Sequence, residues 1–306
     1  MRLHPLALAL ALALALALAL SLPAHAAAAA PSFCANSSGF ALEWADEFDG
    51  PTIDPAVWRT VEGTSIHPNV DDCFGEQCLP WAGCRAGYCV PENVYVANGS
   101  AVLRSTNAPG VWSNGSWHFA TAAMVTKGRK SWTWLDGVYR MCINAQLPGT
   151  EGANNAGLWP AAWLLPDSDV LCDPDQGEID VLEMVNGNQQ LYIDYWWQDP
   201  SWPHSPSLCN NSSAERFVRT IKGISTWHSE FHEYAYEAGP SWLAVAIDGQ
   251  VLANWTHADK GALFFNVSYY LFLNTALGGE WPEPPTNATK WPALFNIDYV
   301  RVARAI

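Results

Sequence analysis

Beyond the N-terminal region, the apolar residues of this 306-residue chain recur mainly at every second position, in short runs broken by Gly, Pro and Asn. Alternation of that kind marks strands with one buried face, and no later stretch sustains the spacing of an amphipathic helix. ENVYVANGSAVLRS (92–105) sets Asn98-Gly99 between two alternating runs, and LAVAIDGQVLANW (243–255) does the same with Asp248-Gly249. Both predict hairpins with tight turns, because Asn-Gly and Asp-Gly accept the positive φ that such turns demand. SYYLFLNTAL (268–277) is apolar almost throughout and predicts a strand buried on both faces. The fold class expected is all-β, a two-sheet sandwich in one domain over residues 27–306, since no linker or repeat divides the chain.

One run breaks the rule of two. In GEIDVLEM (177–184), Glu178 and Asp180 share a strand face, whereas Glu183 would point to the other. A β-bulge between Asp180 and Glu183 restores the register, gathering the three acids on one face and leaving Ile, Val and Leu for the core. A helix fails, because Glu178 and Asp180 would diverge by roughly 200° around its axis. With the glutamates roughly 13 Å apart at Cα, side chains leaning over a concave sheet bring their carboxylates toward the ~5.5 Å that suits a retaining glycosidase. Three crowded acids cannot all ionise cheaply, so one is expected to hold the proton that catalysis needs. The bland alternative is a solvated acidic strand face.

The first residues change the picture of where this chemistry takes place. Met1 to His4 precede an Ala/Leu run through Leu22 and then Ala24-His25-Ala26, the pattern of a cleaved secretory leader over residues 1–26, with an uncleaved anchor as the alternative. Sequons at Asn36, Asn98, Asn114, Asn210, Asn211, Asn254, Asn266 and Asn287 fit export, as does the even count of 8 cysteines. Cys73, Cys78, Cys84 and Cys89 predict a disulfide-stapled loop; zinc is the alternative, although the spacing departs from paired C-x2-C. Cys172 with Cys209, and Cys34 with Cys142, are plausible further bridges, though spacing alone does not fix connectivity. A net charge of −15 disfavours nucleic acid and anionic surfaces and suits a neutral glycan. The 17 tryptophans add rings able to stack on sugars, although most tryptophans in any fold are core.

Taken in order, LEWADEFDG (42–50), Ile53-Asp54 to Trp58, ENVYVANG, MVTKG (124–128), GLWPAAWLLP (157–166), GEIDVLEM, LFLNTALGGEWP (271–282) and NIDYVRV (296–302) resemble glycoside hydrolase family 16. The resemblance is to its laminarinase-type endo-β-1,3-glucanases, and it implies a concave, concanavalin A-like β-jelly roll. It makes Glu178 the nucleophile, Asp180 its assisting carboxylate and Glu183 the acid/base, and it places Trp159, Trp163, Trp281 and Asn93 against the sugar. The E-x-D-x-x-E spacing belongs to the laminarinase, agarase and carrageenase side of that family. No cofactor is implied for the reaction. A structural calcium between the chain termini is possible, with Glu47 and Asp298 in the matching motifs.

Departures bear on substrate more than chemistry. Gly137-Val138-Tyr139-Arg140-Met141-Cys142 lacks the charged pattern relatives carry there, and Asp194 stands where many have a histidine near the cut. The Cys73–Cys89 loop has no counterpart in the family pattern, and either extends a cleft wall or decorates the surface. His228 and His232 are expected to be structural. The function expected is a secreted, monomeric, retaining endo-hydrolase of a neutral β-glucan, most simply a β-1,3-glucan. A non-hydrolytic β-glucan-binding protein and a transglycosylase of the same fold are the alternatives, and the intact acids favour an enzyme.

Overall fold

The computed structural model describes residues 32–34, 39–63, 87–108, 110–112, 115–117, 119–167, 177–187, 190–197, 215–256, 258–259, 267–278, 281–282 and 284–306. The expected leader over residues 1–26, five of the sequons (Asn36, Asn114, Asn210, Asn211, Asn266) and Cys73, Cys78, Cys84, Cys172 and Cys209 lie outside them. The strands run in order as β1 (Phe40–Asp46), β2 (Arg59–Thr60), β3 (Gly87–Cys89), β4 (Val94–Ala97), β5 (Ser100–Ser105), β6 (Gly110–Trp112), β7 (Gly115–Trp117), β8 (Phe119–Thr121) and β9 (Ala123–Val125). They continue as β10 (Tyr139–Gln146), β11 (Leu158–Pro166), β12 (Glu178–Met184), β13 (Gln190–Trp197) and β14 (Glu215–Lys222). The last are β15 (His232–Gly239), β16 (Trp242–Ile247), β17 (Gln250–Thr256), β18 (Tyr269–Leu277) and β19 (Ala293–Ala305).

Two large antiparallel sheets result. One has the order β17-β16-β15-β10-β19-β5-β4, with β1 also on β19; the other runs β14-β13-β12-β11-β18-β9-β2. Alternation explains the layering. Tyr139, Met141, Ile143 and Ala145 of β10 face Ala162 and Leu164 of β11, Ile179 of β12 and Leu271 and Leu273 of β18 across a single core. Both expected hairpins are present, β4–β5 about Asn98-Gly99 (φ 54° and 75°) and β16–β17 about Asp248-Gly249 (φ 49° and 76°). Every residue of β18 is buried, as its composition predicts. A disulfide joins Cys34 to Cys142 on the outer face of β10, and closing a loop between residues 108 apart stabilises a chain by up to about 4.7 kcal/mol in the entropic account.

β19 ties the termini together. One edge accepts β10, while the other carries β5 near its start and β1 near its end. A register shift opposite Asn144/Ala145 leaves Asp298 as the extra residue, between Ile297 and Tyr299. Burial first, then Glu47 and Asp49, hold the Asp298 carboxyl above its ordinary range against the opposing pull of Arg301. A carboxyl raised in the folded state contributes stability that is complete below its unfolded value and lost as pH rises through the folded one. Asp298→Asn is therefore expected to raise the melting temperature at neutral pH and leave it unchanged near pH 3. Melting curves at the two pH values check the sign; a loss of stability at neutral pH would show that the charged form is favoured there.

Candidate active site

The second sheet turns its outer face into the site, and the bulge in β12 decides which acids reach it. Trp163 pairs with Asp180 and Ala162 with Leu182, so Val181 is the inserted residue; the β13 register shifts between the same acids. Ile179, Val181, Leu182 and Met184 all enter the core, leaving Glu178, Asp180 and Glu183 together on the opposite face. Gly177 makes the entry possible. It holds φ +92°, and a Cβ there would sit 2.8 Å from the Tyr269 hydroxyl and 3.0 Å from that of Tyr195. Burial raises both tyrosines well beyond physiological pH, so this packing stays neutral behind the acids.

Cross-strand pairing lays the site out in rows. One runs Val218, Asp194, Asp180, Trp163, Phe272, Val125, Arg59 across seven strands. The next carries Thr220, Tyr192, Glu183, Ala161 and Asn274, and a third sets Trp196 opposite Glu178. Glu178 and Glu183 keep partial exposure, whereas Asp180 and Asp194 are 2% and 4% exposed. Carboxylate oxygens of Asp180, Glu183 and Asp194 lie within 4.8 Å of one another. Such spacing also occurs around cations, but an all-acid group is what two-carboxylate hydrolysis requires in its own right, and nothing in it points specifically to a metal.

Trp159 donates its indole N–H to Glu183 Oε1 at 2.9 Å, which fixes the rotamer of that glutamate. Its ring meets Trp281 edge-on at 5.2 Å, and Tyr192 meets the same ring at 5.0 Å. Trp281 is 42% exposed and offers an open ring beside Glu183. Both tryptophans thus lie beside Glu183 on the cleft face. Tyr192 and Trp196 were not anticipated, although LYIDYWW alternates and would have yielded them once its register against β12 was known.

Two residues expected against the sugar are enclosed by the protein itself. Trp163 is on the cleft face but only 7% exposed; its N–H goes to Asn274 Oδ1 at 2.9 Å, and Phe272 lies against its ring at 5.1 Å. Val61 and Cys89 pack into the same cluster, from the segment in which Gly63 and Cys89 exchange backbone hydrogen bonds of 3.1 and 2.7 Å. The end of the cysteine-rich region therefore covers this part of the sheet, and Trp163 is floor rather than platform. Asn93 is 3% exposed, donates to the Thr121 carbonyl at 3.3 Å and accepts from Arg104 at 2.9 and 3.2 Å. Its amide is occupied in holding the β4–β5 hairpin against β8.

The terminal acids do not form a calcium cage. Both oxygens of Glu47 accept from Arg301 at 2.7 Å, and a guanidinium in that position repels a dication. His228 and His232 are structural, as expected: the first packs between Asn155 and the Leu147 carbonyl, and the second bridges Asp248 and Thr226.

Comparison with known proteins finds relatives in sequence and in fold. No protein-family profile matches the chain. It is 28% identical over 284 residues to a β-glucanase of Rhodothermus marinus, covering 86% of this chain and 85% of that protein. It is 26% identical over 283 residues to glucan endo-1,3-β-glucosidase A1 of Niallia circulans, covering 87% of this chain but 38% of that longer protein. In fold it matches the endo-β-1,3-glucanase of Pyrococcus furiosus with a TM-score of 0.70 at 24% identity, over 87% of this chain and 95% of the other.

Proposed function

We propose that this chain is a laminarinase-type member of glycoside hydrolase family 16, which its β-glucanase relatives and its fold support, and that it cuts internal linkages of a neutral β-glucan, with β-1,3-glucan as the substrate. The observation that carries the reading is the bulge that sets Glu178, Asp180 and Glu183 on one face beside open aromatic rings. The chemistry is double displacement. A Glu178 oxygen attacks the anomeric carbon as the bond to the departing sugar oxygen breaks, and Glu183 gives that oxygen its proton. Water then loses a proton to Glu183 and bonds to the same carbon, releasing Glu178 as a carboxylate. Two inversions retain the configuration. Because Glu183 Oε1 accepts from Trp159, the travelling proton belongs on Oε2. Trp281, with Tyr192 and Trp159 around it, stacks a glucosyl ring. The apolar leader at residues 1–26 fits export to the glycan-rich exterior.

A digest of laminarin, mixed-linkage glucan, agarose and carrageenan tests the reading. Laminarin is expected to yield a ladder of oligosaccharides whose new ends are first released as the β-anomer, seen by proton NMR before mutarotation. Release of the α-anomer would exclude double displacement. Cleavage of a galactan with laminarin intact would overturn the substrate. Binding without cleavage would favour the non-hydrolytic alternative, and products longer than the acceptors supplied would mark a transglycosylase.

A further inference from the structure

The cleft sheet ends at β2, and the charge on that edge is unbalanced. Arg59 stands opposite Val125 of β9, in the row that contains Asp180 but four strands away from it, roughly 19 Å. Alternation sets its side. Val125 packs with Trp163, Tyr270 and Phe272 on the cleft face, whereas Met124, opposite Thr60, enters the core. Lys127, two residues past Val125, returns to the cleft face, its Nζ 5.6 Å from the centre of the Tyr270 ring. Arg129 joins from the turn after β9, where its Nη1 donates to the Trp58 carbonyl at 2.8 Å. Three cations thus gather on one edge of a chain whose net charge is −15, and among the described residues none of them has a carboxylate partner. Arg59 bears most of the cost. It is half-buried, and its Nε is enclosed with no hydrogen-bond partner among the described residues. Burial first, then the neighbouring Arg129, pull its pKa down against the opposing effect of Tyr270. A guanidinium does not escape by losing its proton at any physiological pH. A sugar hydroxyl would satisfy the Nε–H and leave the repulsion from Arg129, whereas an oxyanion removes both.

We propose that Arg59, Lys127 and Arg129 form a subsite for an acidic substituent, a carboxylate or a sulfate ester, carried by a glucan chain several sugar units from the bond that is cut. The inference rests on the reading of the second sheet as the cleft of a β-glucanase, and extends its substrate from the neutral polymer to chains that bear occasional acidic groups. The planar guanidinium of Arg59 matches the paired oxygens of a carboxylate or sulfate, and Lys127 adds a point charge beside it. Sparse substitution follows from the charge elsewhere. An acidic surface repels a densely sulfated polymer, while a single anion held among three cations gains more than it loses to charges beyond a Debye length of about 8–10 Å. The subsite makes and breaks no covalent bond; it holds the chain while the acids of β12 act on another part of it.

Titration calorimetry on the full chain carrying Glu178→Gln compares laminarin with laminarin of the same length sparsely oxidised at its primary hydroxyls to carboxylates. The oxidised glucan is expected to bind about fivefold or more tightly at low salt, with the difference shrinking as ionic strength rises. Adding either Arg59→Gln or Lys127→Gln is expected to bring the ratio of the two dissociation constants toward one. Lys127 is half-buried and outside the core, so it tests the subsite even where Arg59→Gln does not fold. Equal dissociation constants in the Glu178→Gln chain, or a preference that survives both additions, would overturn the subsite and leave the glucan reading standing. Binding of inorganic sulfate with no preference for the oxidised glucan would make this a free-anion site and overturn it likewise. Hydrolysis surviving in Glu178→Gln would instead defeat the assignment of the nucleophile, whatever the binding ratio. Binding of neither glucan would defeat the substrate reading and the subsite together.

Discussion

Glu178→Gln and Glu183→Gln are each expected to lower kcat by at least about a thousandfold while leaving the melting temperature within a few degrees of the parent, because each removes one half of a two-step reaction and neither side chain is core. Azide separates their roles. With Glu178→Ala it is expected to restore turnover and give a glycosyl azide of inverted configuration, since the small anion takes the place of the missing carboxylate at the anomeric carbon. With Glu183→Ala the azide adduct is expected to retain configuration, formed by attack on the Glu178 ester. The reverse pattern would exchange the two assignments. Substantial hydrolysis in either Gln variant would remove this strand from the chemistry altogether.

Trp163→Ala is expected to cost about 3–5 kcal/mol of stability and to reduce activity only through the fraction that unfolds. The ring is enclosed by Phe272, Val61 and Cys89, and its loss would leave a cavity and remove the indole donor to Asn274 Oδ1. Trp281→Ala is expected to do the opposite. Its exposed ring can be removed for little loss of folding, while the KM for laminarin oligosaccharides rises several-fold, on the order of 1 kcal/mol of stacking. Urea denaturation and initial rates on both variants make the comparison. A Trp281 variant that melts early with unaltered KM, or a stable Trp163 variant with weakened binding, would exchange platform and floor.

The sequence by itself determined the strands, both hairpin turns and the need for a bulge between Asp180 and Glu183, because each follows from a local rule: period-two alternation, Asn-Gly or Asp-Gly in a tight turn, and three acids that one strand face otherwise cannot gather. It also drew attention to Trp159 and Trp281 beside the acids. Tertiary structure decided what pattern does not encode. Trp163 and Trp159 lie four residues apart on one face of β11, and nothing in the strand says that the Cys89 segment covers the first while the second stays beside Glu183. Asn93 reads as a polar residue available to a sugar until Arg104 and Thr121, distant along the chain, occupy its amide. Glu47 and Asp298 were brought near each other only when β1 and β19 joined, and Arg301 on the same strand took the Glu47 carboxylate. The pairing of Asp180 with Asp194 depended on the register across β12 and β13, which the bulge shifts by one residue. Local backbone preference writes strands and turns into sequence, whereas the cover over each side chain, and the charge placed opposite it, come from segments brought together by packing.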